Sequence, residues 1–188
     1  MSQSIIHRSQ PGFVVQGGGY VTNFSAIPQN PAVVNEPVYS NVRGTIAMAK
    51  TAAGPSTATS QWFFNLANSA ANLDNQNGGF TVLGQVNSNG MATVDAIAAI
   101  PTYNQGGAFT NIPLQNYTAP NAVVLSNLIF ITSVTVMDPT VDSAAGLSRP
   151  LTTRTTIGGG GNGGGGGSFD LLFLIGLLLF GRSRFMRS

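Results

Sequence analysis

Short apolar runs broken every few residues by Gly, Pro or Asn dominate the chain from its start to about residue 136, the punctuation of a β-rich body. Six of these runs predict strands: Ile5 to His7, Phe13 to Gln16, Thr45 to Ala49, Trp62 to Leu66, Thr81 to Val86 and Leu128 to Val136. One stretch has helical spacing. Met91, Val94, Ile97 and Ala98 recur on one face between Met91 and Ile100, and Pro101 closes the run. The pattern predicts a mostly β domain with little helix over residues 1–136.

The pattern then changes twice. From Met137 to Ile157 the periodicity is lost and Thr, Ser and Pro prevail, and nine of the ten residues from Gly158 to Gly167 are glycine. Residues 137–167 are therefore expected to form a linker, with the glycine run a flexible coil. Beyond it, residues 168–188 carry an apolar run from Leu171 to Gly181 and then Arg182, Arg184 and Arg187. A helix over that run would be roughly 16 Å long, against the ~30 Å of a bilayer's hydrocarbon core. It is short for a permanent anchor, and the arginines that follow predict a C-terminus held on the cytoplasmic side.

Composition excludes several kinds of chemistry. The chain has no cysteine, so disulfides, thiolate metal sites and cysteine nucleophiles are absent. His7 is its one histidine, which leaves no histidine pair for a metal or a proton relay. No metal or other cofactor is called for. Charged residues make up 7% of the chain, well below the usual quarter, as in exported bacterial proteins. The net charge of +2 arises in the tail, because residues 1–157 balance five cations (Arg8, Arg43, Lys50, Arg149, Arg154) against five acids (Glu36, Asp74, Asp95, Asp138, Asp142). Nucleic acid is thus not an expected partner.

What remains is an arginine, amides and aromatics, grouped as HRSQPGFVVQGGG (His7 to Gly19), VRGTIAMAK (Val42 to Lys50), SQWFFN (Ser60 to Asn65) and NLDNQNGGFTVLGQV (Asn72 to Val86). Such a set suits gripping and twisting a neutral group. A fixed guanidinium can donate towards a nitrogen whose lone pair is conjugated, and localising that lone pair eases rotation about the bond. The triple glycine at Gly17 to Gly19 lacks the following helix of a phosphate loop and reads as a close-packed strand exit. His7 reads as a structural residue with its hydrogen bonds satisfied.

In order and rough spacing, these four motifs resemble cyclophilin-type peptidyl-prolyl cis-trans isomerases of the bacterial kind, from about residue 5 to residue 136. The resemblance implies a β-barrel with short helices and proline-containing polypeptides as substrates. It implies Arg8, Gln16 and Phe13 as catalytic residues. Val14, Ala49, Lys50, Gln61, Phe63, Leu73 and Phe80 would line the substrate groove, Phe63 and Leu73 forming the proline pocket with Phe13. Val14 stands where many members have Met, Lys50 where eukaryotic members often have Asn, and Phe80 where many of those have His. Asn72 replaces a Trp of many eukaryotic members, against tight binding of cyclosporin-like inhibitors.

Two further expectations follow from the resemblance. The arginine motif of a whole domain lies some fifty residues in, so the barrel is expected to be incomplete here, its first two strands and first helix absent. Either Met1 is internal to a longer gene or the chain is a fragment, and an unclosed barrel is expected to be unstable. The tail from Gly158 to Ser188 resembles GlyGly-CTERM sorting signals, which implies the cell envelope (periplasmic or surface-exposed), the inner membrane and a rhomboid-type sorting protease as partners. The functional readings are an isomerase aiding the folding of exported proteins, a proline-peptide binding module or holdase without turnover, and an inactive fragment.

Overall fold

The computed structural model describes residues 3–87, 89–138 and 149–154. The glycine run and the apolar tail lie outside the described residues. In chain order the strands are β1 (Ser4–Ile5), β2 (Arg8–Gln10), β3 (Val14–Gly17), β4 (Thr45–Met48), β5 (Trp62–Asn65), β6 (Val82–Gln85), β7 (Thr102–Tyr103), β8 (Ile112–Pro113) and β9 (Phe130–Ile131). Two short helices, α1 (Ala70–Leu73) and α2 (Gly90–Ala98), interrupt them. The fold is mostly β.

Its frame is a five-stranded sheet of order β2-β3-β5-β4-β6 in which every neighbouring pair is antiparallel. Among the described residues this sheet does not close into a barrel. Its β2 edge is partly covered, since Ser9 donates its backbone N–H to the carbonyl of Asn111 at 2.8 Å. Alternation along the strands separates two faces. Val15, Trp62 and Phe64 point to one, where α2 packs with Val94, Met91, Ile97 and Ala98, the stripe expected of it. Val14, Phe63 and Ala47 point to the other, under Leu73, Phe80 and Tyr39. A third cluster of Ile5, Ile112, Leu114 and Leu128 joins the small sheets β1-β9 and β7-β8.

Four of the six predicted strands occur close to their expected bounds, and two require correction. The run Ile5 to His7 is not one strand: β1 ends at Ile5, pairs with β9, and the chain crosses to β2 in the large sheet. Ile5 and Ile6 accordingly enter different apolar clusters. Of Leu128 to Val136 only Phe130 and Ile131 form a strand, because β1 offers two partners; Leu128 makes a single bridge to Leu114, and Val134 and Val136 are exposed. β2, β7, β8 and α1 had no sequence signal, being polar or too short for a period to show.

Residues 149–154, inside the expected linker, lie along the body. Leu151 bridges Tyr39 in antiparallel register, with Ser40 N–H to Pro150 O and Thr152 N–H to Val38 O, both 2.9 Å. No helix among the described residues is long and apolar enough to cross a membrane.

Candidate functional site

Strand register assembles the site. Arg8 pairs with Gln16, Gln16 with Phe63, Phe63 with Ala47 and Ala47 with Val82, so one row of side chains crosses the sheet on one face. The next row holds Gln10, Val14, Asn65 and Thr45. A guanidinium on β2 is thereby set two strands from a buried phenylalanine, with an amide between them.

The Arg8 guanidinium donates from Nη1 to Gln16 Oε1 at 3.3 Å and from Nη2 to Gln10 Oε1 at 2.5 Å. Both acceptors are neutral. An amide orients a guanidinium without cancelling its charge, as a carboxylate would. Arg8 is 6% exposed, and burial pushes its guanidinium down to about 10, so it stays protonated at neutral pH. Gln16 in turn donates from Nε2 to Gln61 Oε1 at 2.8 Å. Gln61 lies against Gly19, where an added Cβ would come within 2.9 Å of its side chain. The Gly17 to Gly19 triplet is thus a close-packed strand exit, with Gly17 against Trp62.

Val14, Ala49, Phe63, Leu73 and Phe80 form one packed cluster with Phe13 at its margin. Phe63 and Phe80 meet edge to face, centroids 5.8 Å apart, and Val14, Phe63 and Leu73 are fully buried. The socket walls therefore press on one another, and Phe13, half-buried, is the member that reaches the surface. Lys50 Nζ sits 4.5 Å from the Phe80 ring centroid and donates to the carbonyls of Asn77, at 2.7 Å, and Gly79. Burial first, then the charge of Arg154, pushes Lys50 down to about 8. Gln16, Ala49, Lys50 and Gln61 line an open cleft with Gly19 and Thr57. All ten expected site residues thus fall in one region, the cleft on one side and the apolar cluster on the other. Among the described residues no group of three His, Cys, Asp or Glu could hold a metal.

Three further residues, not named as site residues from the sequence, support the site. Gln10 accepts from the terminal nitrogen of Arg8 that Gln16 does not engage. Asp74, fully buried, accepts from Ser40 Oγ at 2.6 Å and from Asn41 N at 2.8 Å, which pins the turn between Leu73 and Phe80. Desolvation pushes its carboxyl up, but the bonds from Ser40, Thr153 and Asn41 outweigh it and hold the carboxyl below its ordinary value. Thr153 reaches the same carboxylate from the end of the described chain. Gln10 and Asp74 lie inside the quoted motifs, but the hydrogen bonds that give them and Thr153 their roles cannot be read from the motif residues alone.

His7 is buried against Tyr20, ring centroids 5.0 Å apart, and its Nδ1 has no hydrogen-bond partner, contrary to the expectation that its bonds are satisfied. Burial, then the charge of Arg8, lowers it to about 4, against a weaker raising effect of Gln61. Between about 4 and 6.5 the unfolded chain therefore binds a proton that the folded one refuses, so stability falls as pH drops through that window. We expect a loss on the order of 3 kcal/mol from pH 7 to pH 4. Denaturation midpoints across that range would show it, and His7→Gln should flatten the slope; an unchanged slope in the variant would assign it elsewhere.

Residues 1–119 match the family described as cyclophilin type peptidyl-prolyl cis-trans isomerase/CLD. The chain is 41% identical over 115 residues to a peptidyl-prolyl cis-trans isomerase of Acinetobacter baylyi, covering 60% of each chain. It is 39% identical over 126 residues to peptidyl-prolyl cis-trans isomerase A of Dickeya dadantii, covering 65% of this chain and 64% of that one. Isomerase B of Escherichia coli is 32% identical over 129 residues, with 65% and 77% covered. The chain thus spans about three fifths of the length of the first two relatives.

Proposed function

We propose, since the chain belongs to the cyclophilin-type peptidyl-prolyl cis-trans isomerase family, that it twists X-Pro amide bonds at the Arg8 row. The observation that carries this reading is a buried, charged guanidinium held by two neutral amides beside an apolar cluster. A proline ring would rest on Phe13 and the aromatic margin while the preceding carbonyl rotates. Arg8 would donate towards the imide nitrogen as its conjugation breaks, in a site where little water competes. Gln16 would hold the substrate backbone through its amide, with Lys50, Ala49 and Gln61 along the cleft. A thousandfold acceleration needs only about 4 kcal/mol of differential binding.

A protease-coupled assay on an X-Pro peptide, run cold so that the uncatalysed step takes minutes, tests the reading. Acceleration proportional to protein concentration is expected. Tight peptide binding without acceleration would replace it by the binding-module reading.

Gln10 gives a second, finer test. Gln10→Ala leaves Arg8 tethered by its 3.3 Å bond to Gln16. We expect kcat/KM to fall about fivefold with the fold intact, because a loosened guanidinium must be re-ordered in each turnover. Full activity in that variant would remove Gln10 from the site.

We also propose that the body works in the cell envelope on exported polypeptides, tethered at least transiently through residues 168–188, with a rhomboid-type sorting protease as a partner that acts on that tail. Low charge, the glycine spacer and the terminal arginines support this. Fractionation of the full chain and of a form ending at residue 157 tests it: only the full chain should sediment with membranes.

A further inference from the structure

The segment 149–154 is bound in an unusual way for a strap that covers a sheet or seals a core. Leu151, its one large apolar residue, is 68% exposed. Its polar groups instead converge on the turn between Leu73 and Phe80. Thr153 donates its backbone N–H and its hydroxyl to Asp74 Oδ2, at 3.0 and 3.1 Å. Arg154 donates from Nη1 to Gly78 O at 2.9 Å, and the Arg149 guanidinium lies over the Tyr39 ring, 5.0 Å from its centroid. Tyr39 packs on the pocket cluster itself.

What Asp74 holds explains why this matters. It directly follows Leu73, whose carbonyl accepts the Phe80 N–H at 3.0 Å. Its other oxygen accepts from Asn41 Nδ2 at 3.1 Å, and the same amide group donates to Phe80 O at 3.1 Å. Asn41 in turn accepts from Asn65, which also bonds Thr45, both residues of the sheet. One buried network therefore runs from the sheet through Asn41 and Asp74 to the strap, and two pocket walls, Leu73 and Phe80, hang from its middle. Gly78 and Gly79, gripped by Arg154 and Lys50, lie between those walls.

We infer that Thr153, carried by the 149–154 strap, is a positioning residue that sets the Leu73 and Phe80 walls of the proline pocket through Asp74. The functional half of this inference rests on the isomerase reading; the coupling of strap to turn does not. Thr153 is exposed, so its substitution removes bonds without opening a core. With Thr153 gone, the Asp74 carboxylate loses two donors and the turn it carries gains freedom. The pocket must then be ordered by the substrate, and that cost appears in binding.

The test uses the full chain with Thr153→Pro, which deletes both donors, and Thr153→Ser, which keeps both. Hydrogen exchange at the Gly79 and Phe80 amides, which bond Gln76 O and Leu73 O, should quicken about tenfold in Thr153→Pro while β3 and β5 stay protected. In the isomerase assay KM should rise about tenfold with kcat little changed, and Thr153→Ser should restore both readouts. Unchanged exchange at Gly79 and Phe80 would overturn the coupling. Faster exchange in every strand would also overturn it, by reducing the strap to general stability. Faster exchange with an unchanged KM would overturn the role in the pocket. A wild-type chain that binds but does not turn over would sink the isomerase reading alone, leaving exchange and peptide affinity to decide the role of Thr153.

Discussion

Replacing Arg8 by Ala should cost about 10² to 10³ in kcat/KM, the usual loss when one preorganised donor to developing charge is removed. The expectation rests on the surroundings of Arg8. Its charge has two amide oxygens for partners, so the groups that orient it leave its electrostatic effect on a substrate intact. At 6% exposure little water screens it. Arg8→Lys should rescue little, because one ammonium on a flexible stem cannot span Gln10 and Gln16 while presenting a planar face. Stability should drop by only about 1 kcal/mol, since Gln16 keeps Gln61 and the half-buried Gln10 can turn to water. Paired isomerase assays and denaturation curves decide the matter. A variant that melts like the wild type and retains a third of its activity would remove Arg8 from the chemistry.

Phe63→Ala should have the largest effect on stability, about 3 to 5 kcal/mol. Phe63 is fully buried at the centre of the sheet, bracketed in register by Gln16 and Ala47, and it meets the edge of Phe80 at 5.8 Å between centroids. Strands on both sides prevent collapse into the space it leaves. Such a loss is a large part of the 5 to 15 kcal/mol that holds an ordinary domain together. Activity of the fraction still folded should fall as well, because Phe80 loses the ring that sets its angle beside Lys50. Urea denaturation would measure the first effect and assays well below the midpoint the second. A loss under 1 kcal/mol would mean that Phe63 is not the keystone its burial implies.

Much of this could be read along the chain. Local spacing was enough for β3, β4, β5, β6 and α2, because alternation and helical period are properties of a few consecutive residues. The motif residues were legible for the same reason: Arg8, Phe13, Val14 and Gln16 sit within nine positions, on two paired strands and the short turn between them. Two misreadings have a common cause. The run Ile5 to His7 splits because its neighbours in space, β9 and β3, lie in different sheets. The long apolar run after Leu128 pairs only where β1 meets it. Neither partner can be inferred from the run itself.

Composition and local pattern thus settled the β character, the absence of thiol chemistry and the arginine, amide and aromatic set, since each depends on residue identity and near neighbours. Long-range packing decided the rest. It brought Gln61 onto Gln16 across 45 positions and Lys50 onto the turn at Gly79 across 29. It also drew Thr153 onto Asp74 across 79 positions. Such bonds form only once loops are closed, and a loop's ends carry no mark of each other in the sequence, because the entropy of closing it changes only slowly with its length.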